Sequence, residues 1–183
     1  MSLKDLTKDN HTKAEETKFM KCVFKKSMPV NVWNDFTYQK ALIYTAIEVI
    51  AKSHSLLNDL TGIERGDKLV NDYCTMLYQN NLKPAPPRKA TLDYVNYILQ
   101  LDEKSLLAHL YTWHMGDMYG GQMIKKILPG SHSNLEFENA EELKTNLRAK
   151  LDDSLGNEAN KAFEWAIKIM DTYNDELSME HAD

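Results

Sequence analysis

The chain has 183 residues, enough for one domain around a single hydrophobic core, and its 27 acidic against 22 basic residues give a formal charge of -5 at pH 7. That balance leaves no broad positive field for nucleic acid. No run of 18 apolar residues exists to span a membrane, no signal-like apolar run opens the chain, and Cys22 and Cys74 share no CxxC spacing, so both read as reduced thiols of a cytoplasmic protein.

Strand signals are nearly absent and no internal repeat is visible. Prolines at 29, 84, 86, 87 and 129 divide the chain into long proline-free segments with helical periodicity. The pattern predicts helices over about 3–26, 31–57, 64–80, 91–100, 104–128, 138–153 and 157–178. That is an all-α, single-domain helical bundle over residues 1–183, with a polar C-terminal tail from about 178. Pro84-Ala85-Pro86-Pro87 reads as a loop within this one domain, because the segments on both sides are short and helical. In such bundles, cofactor sites are built between facing helices.

In the first helix, Ser2 with Asp5 forms an N-terminal capping pattern, and Leu3, Thr7 and Ala14 face a core. Lys4, Lys8, His11, Glu15 and Cys22 fall on a flanking stripe, which places His11 partly buried beside two cations. On spacing alone, a histidine there is a structural or surface residue.

The segment 104–128 holds three of the seven glycines, Gly116, Gly120 and Gly121, each costing a helix about 0.5 to 1 kcal/mol relative to alanine. Leu106, Leu110, Trp113, Asp117, Gly120, Gly121 and Ile124 share one face, so a carboxylate and bare backbone lie on the apolar stripe. Either Gly116 and Gly120, one turn apart, let a neighbouring helix approach closely and Asp117 finds a buried hydrogen-bond partner, or the helix kinks at the glycine pair and covers a planar ligand within reach of Asp117. Further on, Lys144 and Arg148 place like charges at i, i+4, an arrangement that an anion between them would favour. The alternative pairs Lys144 with Glu141 and Arg148 with Asp152.

Three motifs carry a family resemblance. His11-Thr12-Lys13-Ala14-Glu15 followed by Phe19-Met20 resembles the proximal-helix motif of haem oxygenases. Gly116-Asp117-x-x-Gly120-Gly121-Gln122 with Lys125-Lys126 resembles their distal-helix signature, and Lys144-x-x-x-Arg148 through Leu155 resembles a late helix of the same family. The resemblance spans nearly the whole chain, in a compact form similar to the cyanobacterial and phage members. It implies that haem is sandwiched between a proximal N-terminal helix and a kinked, glycine-rich distal helix.

On that resemblance, His11 is the iron ligand and Glu15 bonds its other ring nitrogen. Lys4, Lys8, Tyr111, Lys144 and Arg148 lie near the propionates, and Phe163 packs against the haem edge. Gly116, Gly120 and Gly121 bring backbone over the haem, and Asp117 supplies protons through water. Two residues depart from the pattern: Trp113 stands where relatives often carry arginine, and Ala166 where some carry asparagine.

The implied activity is oxidative cleavage of haem, both substrate and cofactor, at the α-meso carbon. Its products are biliverdin IXα, ferrous iron and carbon monoxide; O₂ and electrons from reduced ferredoxin are consumed, and a bilin reductase is a possible downstream partner. A non-enzymatic haem carrier of the same fold is the alternative, against which Asp117 and the glycine helix argue. A haem-independent relative, such as the thiamin-degrading enzymes, is a third, against which His11 with its flanking lysines argues.

Overall fold

Ser2 opens α1 (Leu3–Glu15) with a reciprocal cap: its hydroxyl accepts from the Asp5 N–H at 3.3 Å, and the Asp5 carboxylate accepts from the Ser2 N–H at 3.0 Å. The computed structural model describes residues 2–179, so the polar tail beyond them lies outside the described residues. The helix expected over 3–26 breaks at Glu16 and Thr17. The Thr17 hydroxyl donates to the Ala14 carbonyl at 2.8 Å and accepts from the Met20 N–H at 3.2 Å, which ends one helix and caps α2 (Lys18–Phe24). The break resets the helical phase. Cys22 is therefore buried, off the exposed stripe of Lys4, Lys8, His11 and Glu15 on which spacing had placed it.

The core is centred on α3 (Val30–Ser53), whose Phe36, Ile43, Tyr44 and Ile47 are buried. Against it pack α4 (Gly66–Gln79), α5 (Lys89–Ile98) and α6 (Glu103–Leu110). Glu48 of α3 accepts the N–H groups of Arg65 and Gly66 at 2.6 and 3.0 Å, capping α4 from a neighbouring helix, and accepts from buried His114 at 2.9 Å. Burial raises the Glu48 carboxyl, but these donors outweigh it and hold the group below its usual range.

The rest of the bundle is α7 (Gly116–Ile127), α8 (Ala140–Ala149), α9 (Gly156–Asp171) and α10 (Asn174–Met179). The helix expected over 157–178 is interrupted at Thr172 and Tyr173, where the Thr172 hydroxyl bonds the Ile169 carbonyl at 2.6 Å. No strand occurs among the described residues, and no helix is long and apolar enough to cross a membrane.

The segment expected as one helix over 104–128 is continuous but irregular. Between α6 and α7 runs a π-turn, Tyr111–Met115, so the irregularity falls before Gly116 and not at the Gly120-Gly121 pair. One extra residue per turn rotates α7 relative to α6. The face drawn through Leu106, Leu110 and Trp113 therefore does not continue evenly: Gly121 is buried whereas Gly120 is exposed.

Trp113 anchors this π-turn. Its indole N–H donates to the Tyr94 hydroxyl at 2.8 Å, and an indole nitrogen cannot accept, so the Tyr94 hydrogen is free to go to His109 Nδ1 at 2.6 Å. The His109 Nε2 hydrogen then points to Glu158 at 3.2 Å, where the Tyr97 hydroxyl and Lys161 also donate. Burial pushes His109 below its ordinary 6.5, and the bond from His109 leads the contacts that hold Glu158 down at about 2. Both groups are thus ones the unfolded chain protonates more readily. The thermal midpoint should fall as pH drops below 6.5 and fall again between 4.5 and about 2. His109→Gln should flatten the first limb in melts followed by circular dichroism. A wild-type midpoint constant from pH 7 to 5 would mean that the imidazole protonates in place.

Candidate functional site

The glycines of α7 divide into two kinds. A Cβ added at Gly116 or Gly120, one turn apart, would meet nothing within 4 Å, so these two leave an uncovered strip of backbone facing open space. A Cβ on Gly121 would sit 2.7 Å from Leu135 Cδ2, so there the missing side chain lets the turn Ser133–Leu135 close on α7. Among the described residues no neighbouring helix closes on Gly116 and Gly120, contrary to the close-approach reading; the close approach falls at Gly121, against a turn. Gly121→Ala should therefore destabilise the protein by about 1 to 3 kcal/mol through overpacking. Gly120→Ala should stabilise it by up to about 1 kcal/mol through helix propensity. Urea unfolding of the haem-free variants checks the opposite signs; equal effects would mean that Leu135 yields freely.

The π-turn that precedes this strip touches α1. The Tyr111 and Thr7 hydroxyls lie 3.3 Å apart and tie the π-turn to α1. From that contact His11 stands four residues on along α1, about 6 Å of helix, and Gly116 five residues on from Tyr111, at the end of the π-turn. The His11 side chain is 58% exposed, more open than the partial burial expected from spacing. Its Nδ1 faces Glu15 Oε2 at 3.7 Å, and its ring meets Phe163 of α9 edge-on with centroids 5.7 Å apart. His114 is placed otherwise, fully buried with Nε2 on Glu48.

The basic residues lie on two helices, α1 and α8. Lys4 and Lys8 are exposed on α1. On α8, Lys144 lies 4.4 Å and Arg148 5.5 Å from the Tyr119 ring centroid, so both cations converge on one tyrosine of α7. Lys144 also bonds Glu141 at 2.7 Å, the pairing weighed as its alternative. Asp152 was the matching alternative for Arg148; it instead accepts from Ser154 and faces Lys104 at 3.5 Å.

Asp117 is turned toward α3. Lys40 Nζ reaches its two oxygens at 3.0 and 2.8 Å, and the Tyr44 hydroxyl reaches Oδ2 at 2.6 Å while lying 2.9 Å from the Trp113 carbonyl. The Lys40 and Asp117 side chains are 10% and 13% exposed. Burial, and then the Asp117 charge, push the Tyr44 phenol well above its ordinary range, so it remains a donor. Sequence reasoning missed both partners. The available signal was a lysine in phase with Phe36, Tyr44 and Ile47 on an apolar helix stripe.

The bundle thus presents bare backbone on α7, an exposed imidazole on α1, and cations on α1 and α8. The sequence model of the family described as Heme oxygenase matches residues 1–154. Heme oxygenase 2 of Rattus norvegicus is 28% identical over 97% of this chain, which spans 66% of that relative's length, just under two thirds. The crystal structure of heme oxygenase-1 from the cyanobacterium Synechocystis in complex with heme superposes with a TM-score of 0.81 at 24% identity, covering 97% of this chain and 93% of that one. The structure of heme oxygenase from Leptospira interrogans gives 0.78 at 22% identity, over 93% and 98% of the two chains. The chain belongs to the haem oxygenase family.

Proposed function

We propose that the protein cleaves haem oxidatively at the α-meso carbon, giving biliverdin IXα, ferrous iron and carbon monoxide with O₂ and electrons from reduced ferredoxin. The observation that carries this is the open strip at Gly116 and Gly120, which a side chain on either residue would begin to fill, in a chain whose α1 presents an exposed imidazole. When bound, haem supplies both the iron that activates O₂ and the carbon that is oxidised.

His11 Nε2 is the nitrogen for the iron. Glu15 Oε2, one turn on and 3.7 Å from Nδ1, would need to close only slightly to accept the Nδ1 hydrogen, which would fix the tautomer and the ring direction. Phe163 limits rotation of the imidazole from the α9 side and packs at the ligand edge. Lys4, Lys8, Tyr111, Lys144 and Arg148 take the propionates; an ammonium has three hydrogens, so Lys144 can keep Glu141 and still donate. Gly116 and Gly120 keep polar side chains off the reacting face, and Gly121 sets the height of α7 against Leu135. Asp117 holds a proton-carrying water and does not itself touch the reacting centre. Exposed Lys21, Lys25 and Lys26 place three cations on and just after α2 in a chain of net charge -5, which suits an acidic electron donor such as ferredoxin. The biliverdin released would be the substrate of a bilin reductase.

Adding haemin, then a reductant in air, and separating the pigment by chromatography tests the reading. A histidine-type Soret band followed by a single green product, biliverdin IXα, is expected. Haem that binds and survives reduction in air would instead make the protein a carrier.

A further inference from the structure

We propose that Lys40 is a positioning residue of the haem-degrading reaction, clamping both oxygens of Asp117 so that the carboxylate presents a single free acceptor site toward the ligand side. This rests on the proposed function above and adds a residue to it.

A carboxylate offers about four lone-pair sites. Lys40 takes one on each oxygen, at 3.0 and 2.8 Å, and Tyr44 takes a second on Oδ2 at 2.6 Å. What is left lies on Oδ1. Tyr44 alone would anchor one oxygen and leave the group free to rotate about its Cβ–Cγ bond; an ammonium on both oxygens fixes the plane as well. A water held at Oδ1 then has one place to be, and reaction rate depends steeply on such placement.

Stability does not account for this lysine. Burying an ammonium and a carboxylate costs desolvation that their attraction only partly offsets, and apolar residues of similar volume often do as well or better. Lys40 stands on the stripe of α3 that otherwise carries Phe36, Tyr44 and Ile47 into the core, where a leucine or methionine would satisfy packing. The same ammonium lies 5.2 Å from the Tyr44 ring centroid, so it also stiffens the second partner of Asp117. Around this cluster, His114 meets the Tyr44 ring at 4.4 Å and bonds Glu48 at 2.9 Å, and the charges of Glu48 and Arg65 act on Tyr44. The clamp thus sits in a framework in which each neighbouring charge already has a partner.

Two measurements, one without haem, test the proposal. In haem-free protein at neutral pH, the Lys40 ammonium should give a slowly exchanging ¹⁵N-attached signal that is lost in Asp117→Ala; its absence from wild type would remove the clamp. In haem-loaded protein, Lys40→Met should keep haem affinity and KM within about twofold and lower kcat by roughly ten- to a hundredfold. Lys40→Arg, which can also span two oxygens, should recover most of that loss. An unchanged kcat in Lys40→Met, or a folded Lys40→Arg as slow as Lys40→Met, overturns the positioning role while the wild type still makes pigment. No pigment from the wild type overturns the haem-degrading reading itself and the role of Lys40 with it.

Discussion

Replacing His11 by Ala should abolish the histidine-type spectrum and lower turnover by roughly a hundredfold or more, since losing even an outer partner of a metal ligand costs 10- to 100-fold. Haem should still bind. The strip at Gly116 and Gly120 and the cations Lys8, Lys144 and Arg148 are untouched by the substitution, and on the proposed function they would carry the apolar and charged contacts. Because the His11 side chain is exposed and Phe163 packs only against its edge, the change should leave folding stability within about 0.5 kcal/mol. Added imidazole should enter the gap and restore both spectrum and turnover. A variant whose Soret band is unchanged would place the iron on another residue; His114 is a poor substitute, since Glu48 holds it in the core.

Asp117→Ala should affect stability and chemistry separately. Lys40 and Tyr44 would lose their shared acceptor, and a buried cation left without its partner costs about 3 to 5 kcal/mol, so the urea midpoint should fall markedly. Asp117→Asn, which keeps an oxygen for those donors, should recover part of that loss. Product formation should drop by roughly 10²-fold or more in both variants, because neither retains the carboxylate proposed to take part in proton movement. Haem affinity should change little. With hydrogen peroxide the variants should oxidise added phenols, as a peroxidase does, in place of forming green pigment. Full biliverdin yield from a folded Asp117→Asn would move the proton path elsewhere and leave Asp117 a structural anchor of α7 to α3.

The helical layout and the site motifs were legible in the sequence because they are local. Ser2 and Asp5 lie three residues apart, His11 and Glu15 four, and the glycine cluster violates helix propensity within a few positions. Features needing an inserted residue or a distant partner were not. A single Thr17 cap inside an amphipathic run does not alter the periodicity on either side, so 3–26 read as one helix and Cys22 was assigned to the wrong face. The π-turn at Tyr111–Met115 shifts phase by one residue, which a face drawn at about 100° per residue misses. Lys40 and Tyr44 lie more than 70 residues from Asp117, and only the packing of α3 beside α7 brings them together. Nothing in the sequence separates the three glycines; only the packing of Leu135 against Gly121 does.

Carbon monoxide is the product least open to another origin. Wild-type protein loaded with one equivalent of haemin, reduced in air and swept into a ferrous myoglobin trap, should release one carbon monoxide per haem consumed, in step with loss of the Soret band. Haem lost by bleaching without carbon monoxide, or a Soret band that persists through reduction in air, would contradict a haem-cleaving function for this chain.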